Sequence, residues 1–153
     1  MKTLILTTIL LSICNSSYAK YITAICYEPS GNRADLINSV LEEGPDGYSN
    51  SNPTFFFNTD DPQFLLESWQ AALPFPDLID RQTVDELAPP TSTKSIVLLQ
   101  NDQVIQAISS TGNETSMTTL YLNQEFGIFS RIRINGEAMG AIYTAKCTFT
   151  ESE

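Results

Sequence analysis

Thiols and paired carboxylates are the side chains in this sequence whose chemistry could define a site. The chain contains no histidine, so a serine or cysteine nucleophile would lack the base that most often activates it. Adjacent carboxylates occur at Glu42-Glu43, Asp60-Asp61 and Asp85-Glu86. Glycosidases place two carboxylates on either side of a sugar, but with 18 acidic residues such neighbours also arise from composition. The sequence therefore predicts no catalytic residue, no metal site and no cofactor.

The cysteines indicate how the fold is closed. Cys26 and Cys147 lie near opposite ends of the chain, and Cys14 lies in an N-terminal apolar run. An even number of cysteines in an exported chain predicts a disulfide. A Cys26–Cys147 bond would join the first strand of the domain to the last; two buried free thiols are the alternative.

The N-terminus has the pattern of an export signal. Lys2 precedes an apolar run over residues 4–14, and Ser17-Tyr18-Ala19 supplies small residues at the positions that a signal peptidase reads. The run is shorter than the roughly 20 residues that a membrane span needs. Residues 1–19 are therefore predicted to be a cleaved signal peptide, and residues 20–153 a single β-rich domain in the periplasm or outside the cell. Lipidation of Cys14 is the alternative.

The charge of the chain restricts its partners. The formal net charge is −10, which disfavours binding to nucleic acid or to an anionic membrane surface. No second apolar run reaches membrane length, so no stable membrane insertion is expected. A basic protein is the partner that this charge favours.

The remaining pattern is that of strands and turns. β-branched and aromatic runs between turn residues predict strands at residues 21–27, 54–58, 64–71, 94–100, 104–109, 116–122, 126–134 and 139–149. Asn101-Asp102 and Asn135-Gly136 are predicted hairpin turns, so the last five strands form an antiparallel meander.

Three segments are less regular. Residues 29–32 are predicted to be a turn and residues 44–53 a polar loop, whereas residues 33–41 fit either a helix or a returning strand. Residues 80–87 are predicted to form one short helix. The fold class is all-β, an antiparallel sandwich or partly closed barrel with one short helix, its terminal strands joined by a disulfide.

An aromatic group is the predicted contact surface: Phe55, Phe56, Phe57 and Trp69. Neighbours on a strand point to opposite faces, so at least one of the three consecutive phenylalanines is expected to point away from the main core. If no other segment covers that ring, it marks a binding surface. Core packing is the alternative for the whole group.

Several short motifs resemble those of small exported proteins of Gram-negative bacteria. They are the opening Cys26-Tyr27-Glu28-Pro29-Ser30-Gly31, the late Phe129-Ser130-Arg131, the stretch from Trp69 to Pro74 and the closing Tyr143-Thr144-Ala145-Lys146-Cys147. The resemblance implies a periplasmic location, β structure and a structural disulfide, and it implies no activity.

The chain also resembles periplasmic inhibitors of lysozyme, which are small β-barrels with a cysteine near each end. The resemblance implies a Ser-Gly-x-x-Tyr loop that enters the target's cleft. Here Ser30-Gly31 is followed by Asn32-Arg33-Ala34, and the tyrosine is missing.

The sequence thus predicts a non-enzymatic exported β-domain that acts by binding, with another protein as the expected partner. A periplasmic carrier of a small molecule or lipid and a lysozyme-inhibitor-like protein are the alternatives.

Overall fold

The structure is a computed structural model, and it describes residues 21–47, 51–69, 93–134 and 138–152. The predicted signal peptide, the helix at residues 80–87 and the Asn135-Gly136 turn lie outside these ranges. The described residues form nine strands and one 3-10 turn at Leu122–Gln124. The strands are β1 (Tyr21–Ile37), β2 (Val40–Gly47), β3 (Thr54–Asn58), β4 (Phe64–Ser68), β5 (Thr93–Gln100), β6 (Val104–Thr111), β7 (Glu114–Tyr121), β8 (Phe126–Ile134) and β9 (Ala138–Ser152).

The strands close into an antiparallel barrel. β3 to β9 pair with their neighbours in chain order, and β9 pairs with β1 over almost its whole length. The first half of β1 also pairs with β3, which completes a barrel of eight strands. The second half of β1 pairs with β2 instead, so β2 extends the sheet beyond the end of β3. The prediction of an all-β fold is confirmed, and the barrel is closed rather than partly open.

The alternation of side chains explains why the sheet closes around a core. On β9, Ala141, Tyr143, Ala145 and Cys147 are buried while the residues between them are exposed. The other strands contribute inward residues in the same way. The described core consists of Ile22, Ala24, Cys26, Phe55, Phe57, Leu65, Ile105, Ala107, Leu120, Phe129, Ala141, Tyr143, Ala145 and Cys147.

The meander is confirmed for β5 to β9. Asn101 initiates the first hairpin turn because its side-chain Oδ1 accepts hydrogen bonds from the backbone N–H groups of Gln103 and Val104, both at 2.9 Å. The predicted strand at residues 54–58 is also confirmed, as β3. On β4, residues of both faces are buried, as the apolar groups on both sides of its sequence predicted.

The turn predicted at residues 29–32 is wrong. β1 continues through it to Ile37, and a bulge between Tyr27 and Ser30 absorbs the irregular residues. Glu28 takes a positive φ of 42° in this bulge. The reversal occurs instead at Asn38-Ser39, where φ is 49° and 65°. The polar loop predicted at residues 44–53 is also partly wrong, since residues 44–47 belong to β2.

The predicted disulfide is confirmed. Cys26 on β1 lies directly opposite Cys147 on β9, with their Cα atoms 4.0 Å apart. Both residues are buried. The bond therefore ties the first strand to the last at the seam that closes the barrel. Disulfides of this kind persist in oxidising compartments outside the cytoplasm.

Candidate functional site

The three consecutive phenylalanines do not form an exposed surface. Phe55 and Phe57 point into the core, whereas Phe56 lies on the opposite face of β3, as the alternation predicted. Phe56 stacks on Tyr21 with ring centroids 5.4 Å apart. Each of the three phenylalanines is only 1% exposed. None of the three rings can contact a partner from this position.

Trp69, the fourth residue of the predicted contact surface, packs against the core from the end of β4. Its ring meets Phe55 and Phe129 edge-on, at centroid distances of 6.0 and 5.1 Å. The guanidinium carbon of Arg131 lies 5.2 Å from the same ring. Trp69 therefore joins the apolar core to a charged region of the barrel interior.

A buried carboxyl group lies in this region. Glu67 is 2% exposed; its Oε1 accepts a hydrogen bond from the Ser95 hydroxyl at 2.7 Å, and its Oε2 accepts one from Trp69 Nε1 at 3.2 Å. Burial raises the pKa of Glu67, and the hydrogen bonds from Ser95, Trp69 and Thr118 oppose that shift only in part.

The raised pKa of Glu67 makes stability depend on pH. The folded protein holds this proton to a higher pH than the unfolded chain, whose usual value is 4.5. Between the two pKa values the folded state binds more protons, so the free energy of unfolding falls as pH rises. We expect Glu67→Gln, which stays neutral, to gain stability relative to the wild type as pH increases above 4.5.

Urea unfolding of both proteins between pH 4 and pH 8 measures this difference. Glu125→Gln is the matched control, because Glu125 is exposed in the turn before β8. Its stability difference from the wild type should change little with pH. A Glu67→Gln difference that is constant with pH would contradict the assignment.

Ion pairs occupy the same end of the barrel interior. Arg131 and Arg133 project from β8 onto Glu114 of β7, with Arg131 Nε 3.0 Å from Oε1 and an Arg133 terminal nitrogen 2.7 Å from Oε2. One carboxylate thus pairs with two guanidinium groups. These charges stabilise one another and position one another.

A second cluster of polar side chains, contributed by β1, β2 and β9, lies on the side of β9 away from Arg131. The Tyr143 hydroxyl donates to Asp46 Oδ2 at 2.8 Å, and this bond lowers the pKa of Asp46. Arg33 pairs with Asp35 at 2.6 Å and with Asp46 at 3.6 Å. Gly31 lies between the strands of Tyr143 and Asp46, and a Cβ there would overlap the Ile142 carbonyl oxygen. Glycine is therefore required where β9 approaches β1 this closely.

One group of exposed apolar residues lies on the outside of this end of the barrel. Residues that face one another across the register share a face of the sheet, so three rows run from β8 through β9 and β1 to β2. We call them together the apolar face: Ile134, Ala138, Leu36 and Leu41; Ile132, Gly140, Ala34 and Glu43; and Ser130, Ile142, Asn32 and Pro45.

The apolar face is open to solvent. Ile132 is 58% exposed, Ile142 59% and Ile134 67%. A groove of about 930 Å³ runs over the face, and Ile132, Ile142 and Pro45 are among the residues that line it. Small residues at Ala34 and Gly140 leave room between the isoleucines. Contiguous apolar surface of this kind is typical of a site that another molecule covers.

Sequence reasoning missed the apolar face. The aliphatic residues of β8 and β9 were assigned to strands but not to the outside of the sheet, because the strands carry apolar residues on both faces. Alternation alone does not say which of two apolar faces is buried. The signal that would have found it is the sequence Arg131-Ile132-Arg133-Ile134, in which charge and aliphatic residues alternate.

The described residues hold no helix with the length and hydropathy needed to cross a membrane. Comparisons of the chain with models of protein families, with curated proteins and with solved structures found no match. The function is therefore argued from the apolar face and from the charges around it.

Proposed function

We propose that the protein is a non-enzymatic binding domain of the periplasm or the extracellular space, and that it binds another protein through the apolar face. The observation that carries this proposal is the exposure of Ile132, Ile134 and Ile142 in adjacent rows of one face of the sheet. Burying such side chains against a partner removes apolar area from water, at about 25 cal/mol per Å². The buried disulfide supports the oxidising location.

Charge supports a basic partner. The chain carries a net charge of −10. Glu43 lies exposed at the β2 side of the apolar face, and Glu42, also exposed, points to the other face of the same strand. Opposite charges on a partner would steer the encounter and favour the correct orientation. The partner class that fits is a protein with an apolar patch beside lysine or arginine residues.

The two alternatives find less support. A carrier needs space for its cargo, but the described part of the interior is occupied by side chains such as Phe55 and Phe129, whose rings stack at 5.3 Å. The lysozyme-inhibitor-like alternative needs a protruding loop at Ser30-Gly31. Both residues instead lie inside β1, paired with β9 on one side and β2 on the other.

A double variant tests the proposed surface. We expect Ile132→Asp with Ile142→Asp to reduce recovery of the partner by about tenfold or more, because it places two charges at the centre of an apolar contact. The measurement is quantitative mass spectrometry of proteins that co-purify with each form from extract of the native host. Both residues are exposed, so the fold should be little affected.

Ile96→Asp is the matched control. Ile96 is also 58% exposed, but it lies on β5, in a different part of the barrel wall. Its recovery of the same partner should stay within about twofold of the wild type. Equal loss in the control and the double variant would contradict the assignment to the apolar face, and no reproducible partner with the wild type would contradict the proposed function itself.

A further inference from the structure

β2 presents an exposed strand edge beside the apolar face. Among the described residues, β2 pairs only with β1. Val40 and Leu41 are 59% and 61% exposed, and Glu42 and Glu43 are exposed as well. An exposed edge carries backbone N–H and C=O groups that can pair with another strand.

The turn between β1 and β2 determines which residues face that edge. Asn38 and Ser39 form a two-residue turn, so Ile37 and Val40 are the hydrogen-bonded pair that closes it. In an antiparallel ladder such pairs alternate. The backbone groups of Val40 and every second residue after it therefore bond to β1, whereas those of Leu41 and Glu43 point to the outer edge.

The position of Pro45 is consistent with this alternation of inward-bonding and outward-pointing backbone groups. It belongs to the same alternate set as Leu41 and Glu43, so its missing N–H is on the outer edge and costs no bond to β1. Because proline has no backbone N–H, it also interrupts the row of hydrogen-bond donors along the outer edge. The N–H of Gly47, the next residue in the set, bonds to Asp46 Oδ1 at 2.8 Å. The edge that remains open to pairing is the short segment from Leu41 to Glu43.

Charge decides which occupant suits this segment. If a second copy of the chain paired there in an antiparallel sense about Glu42, the two Glu42 side chains would lie directly opposite one another and each Glu43 would lie opposite a Leu41. Like charges directly opposite one another on adjacent strands are destabilising. The side chains of this edge, acidic at Glu42 and Glu43 and aliphatic at Leu41, instead match a strand with basic and aliphatic residues.

We propose that an extended segment of the protein partner adds as a strand to the outer edge of β2, bonding to the N–H and C=O groups of Leu41 and Glu43. Its basic side chains lie beside Glu42 and Glu43, and an aliphatic side chain beside Leu41 continues the apolar face. This inference rests on the proposed function, since it specifies how the partner of that face is held. Strand addition supplies main-chain hydrogen bonds, and the neighbouring side chains supply specificity.

Amide hydrogen exchange measured by NMR tests the proposal on the folded protein. The probe is an eight-residue peptide with blocked termini and the sequence Val-Lys-Lys-Val-Lys-Lys-Val-Lys, which can place a lysine beside each of Glu42 and Glu43 and a valine beside Leu41. We expect a saturating amount to slow exchange of the Leu41 and Glu43 amides by about tenfold or more, because new hydrogen bonds form there. The Glu42 amide, already bonded to β1, should change much less. No slowing at Leu41 and Glu43 would overturn the proposal.

Backbone-modified forms separate strand pairing from charge attraction. The same peptide with every backbone nitrogen methylated keeps its side chains but cannot donate, and we expect it to bind at least about tenfold more weakly. Glu43→Pro removes the outward N–H, as Pro45 already does, and should weaken binding more than Glu43→Gln, which removes only the charge. Equal binding of both peptides, or equal effects of both substitutions, would count against strand pairing.

This experiment and the test of the proposed function can fail separately. If Ile132→Asp with Ile142→Asp abolishes recovery of the partner while the Leu41 and Glu43 amides stay unprotected, the apolar face binds and the β2 edge does not. If the wild type recovers no partner but the peptide protects both amides, the edge can pair and the proposed function fails.

Discussion

Replacement of both disulfide cysteines, Cys26→Ala with Cys147→Ala, is expected to lower the free energy of unfolding by about 2–5 kcal/mol. The two residues are 121 positions apart, so the bond closes a long loop and lowers the conformational entropy of the unfolded chain. It also ties β1 to β9, the pairing that closes the barrel. Alanine is preferred to serine, because both positions are buried and a hydroxyl there would need a partner. Urea unfolding measures the change.

Wild-type protein under reducing conditions is the control for this prediction. Once its disulfide is reduced, the wild type should approach the stability of the double variant, and the reductant should not affect the variant. A double variant as stable as the oxidised wild type would show that the bond adds nothing to the β1–β9 ladder. Such a result would contradict the structural role assigned here to the disulfide.

Truncation of the central core aromatic, Phe129→Ala, is the second large effect. Phe129 is 2% exposed and stacks on Phe55 at 5.3 Å, with Trp69 edge-on at 5.1 Å. Removing the ring leaves a cavity in the core. The cavity persists because the strands of a closed barrel cannot move together to fill it. We expect a loss of about 3–5 kcal/mol in the free energy of unfolding. Trp69 fluorescence reports both the unfolding transition and the change in its surroundings.

Phe126→Ala is the matched control on the same strand. Phe126 is only half-buried and contacts Tyr121 in a tilted arrangement at 6.5 Å. Its truncation should cost about 1 kcal/mol or less, since little of the removed surface lies in the core. Comparable losses at positions 126 and 129 would contradict the placement of Phe129 at the centre of the barrel.

Much of the fold followed from local pattern. Strand 54–58 and the hairpin around Asn101 were predicted with nearly the observed bounds, because alternation and turn residues act over short distances. The course of β1 beyond Tyr27 was not predicted. Pro29 and Gly31 normally interrupt a strand, but here a bulge accommodates the irregularity and pairing with β9 resumes at Ser30. Long-range pairing outweighed the local turn preference.

The candidate site was less predictable than the fold. The expected contact residues, Phe55 to Phe57, are buried on both faces of β3. The residues of the apolar face are scattered over β1, β2, β8 and β9, far apart in sequence. Only the register of these strands assembles Leu36, Ile132 and Ile142 into one surface.

The sequence by itself determined the strand content, the Cys26–Cys147 pairing and a net negative charge. These properties depend on composition and on patterns within a few residues. The tertiary structure alone decided which apolar face of each strand is buried, because that choice depends on how the sheet curves when the barrel closes. It also decided that β2 continues past β3 along β1 and leaves the Leu41–Glu43 edge beside the apolar face.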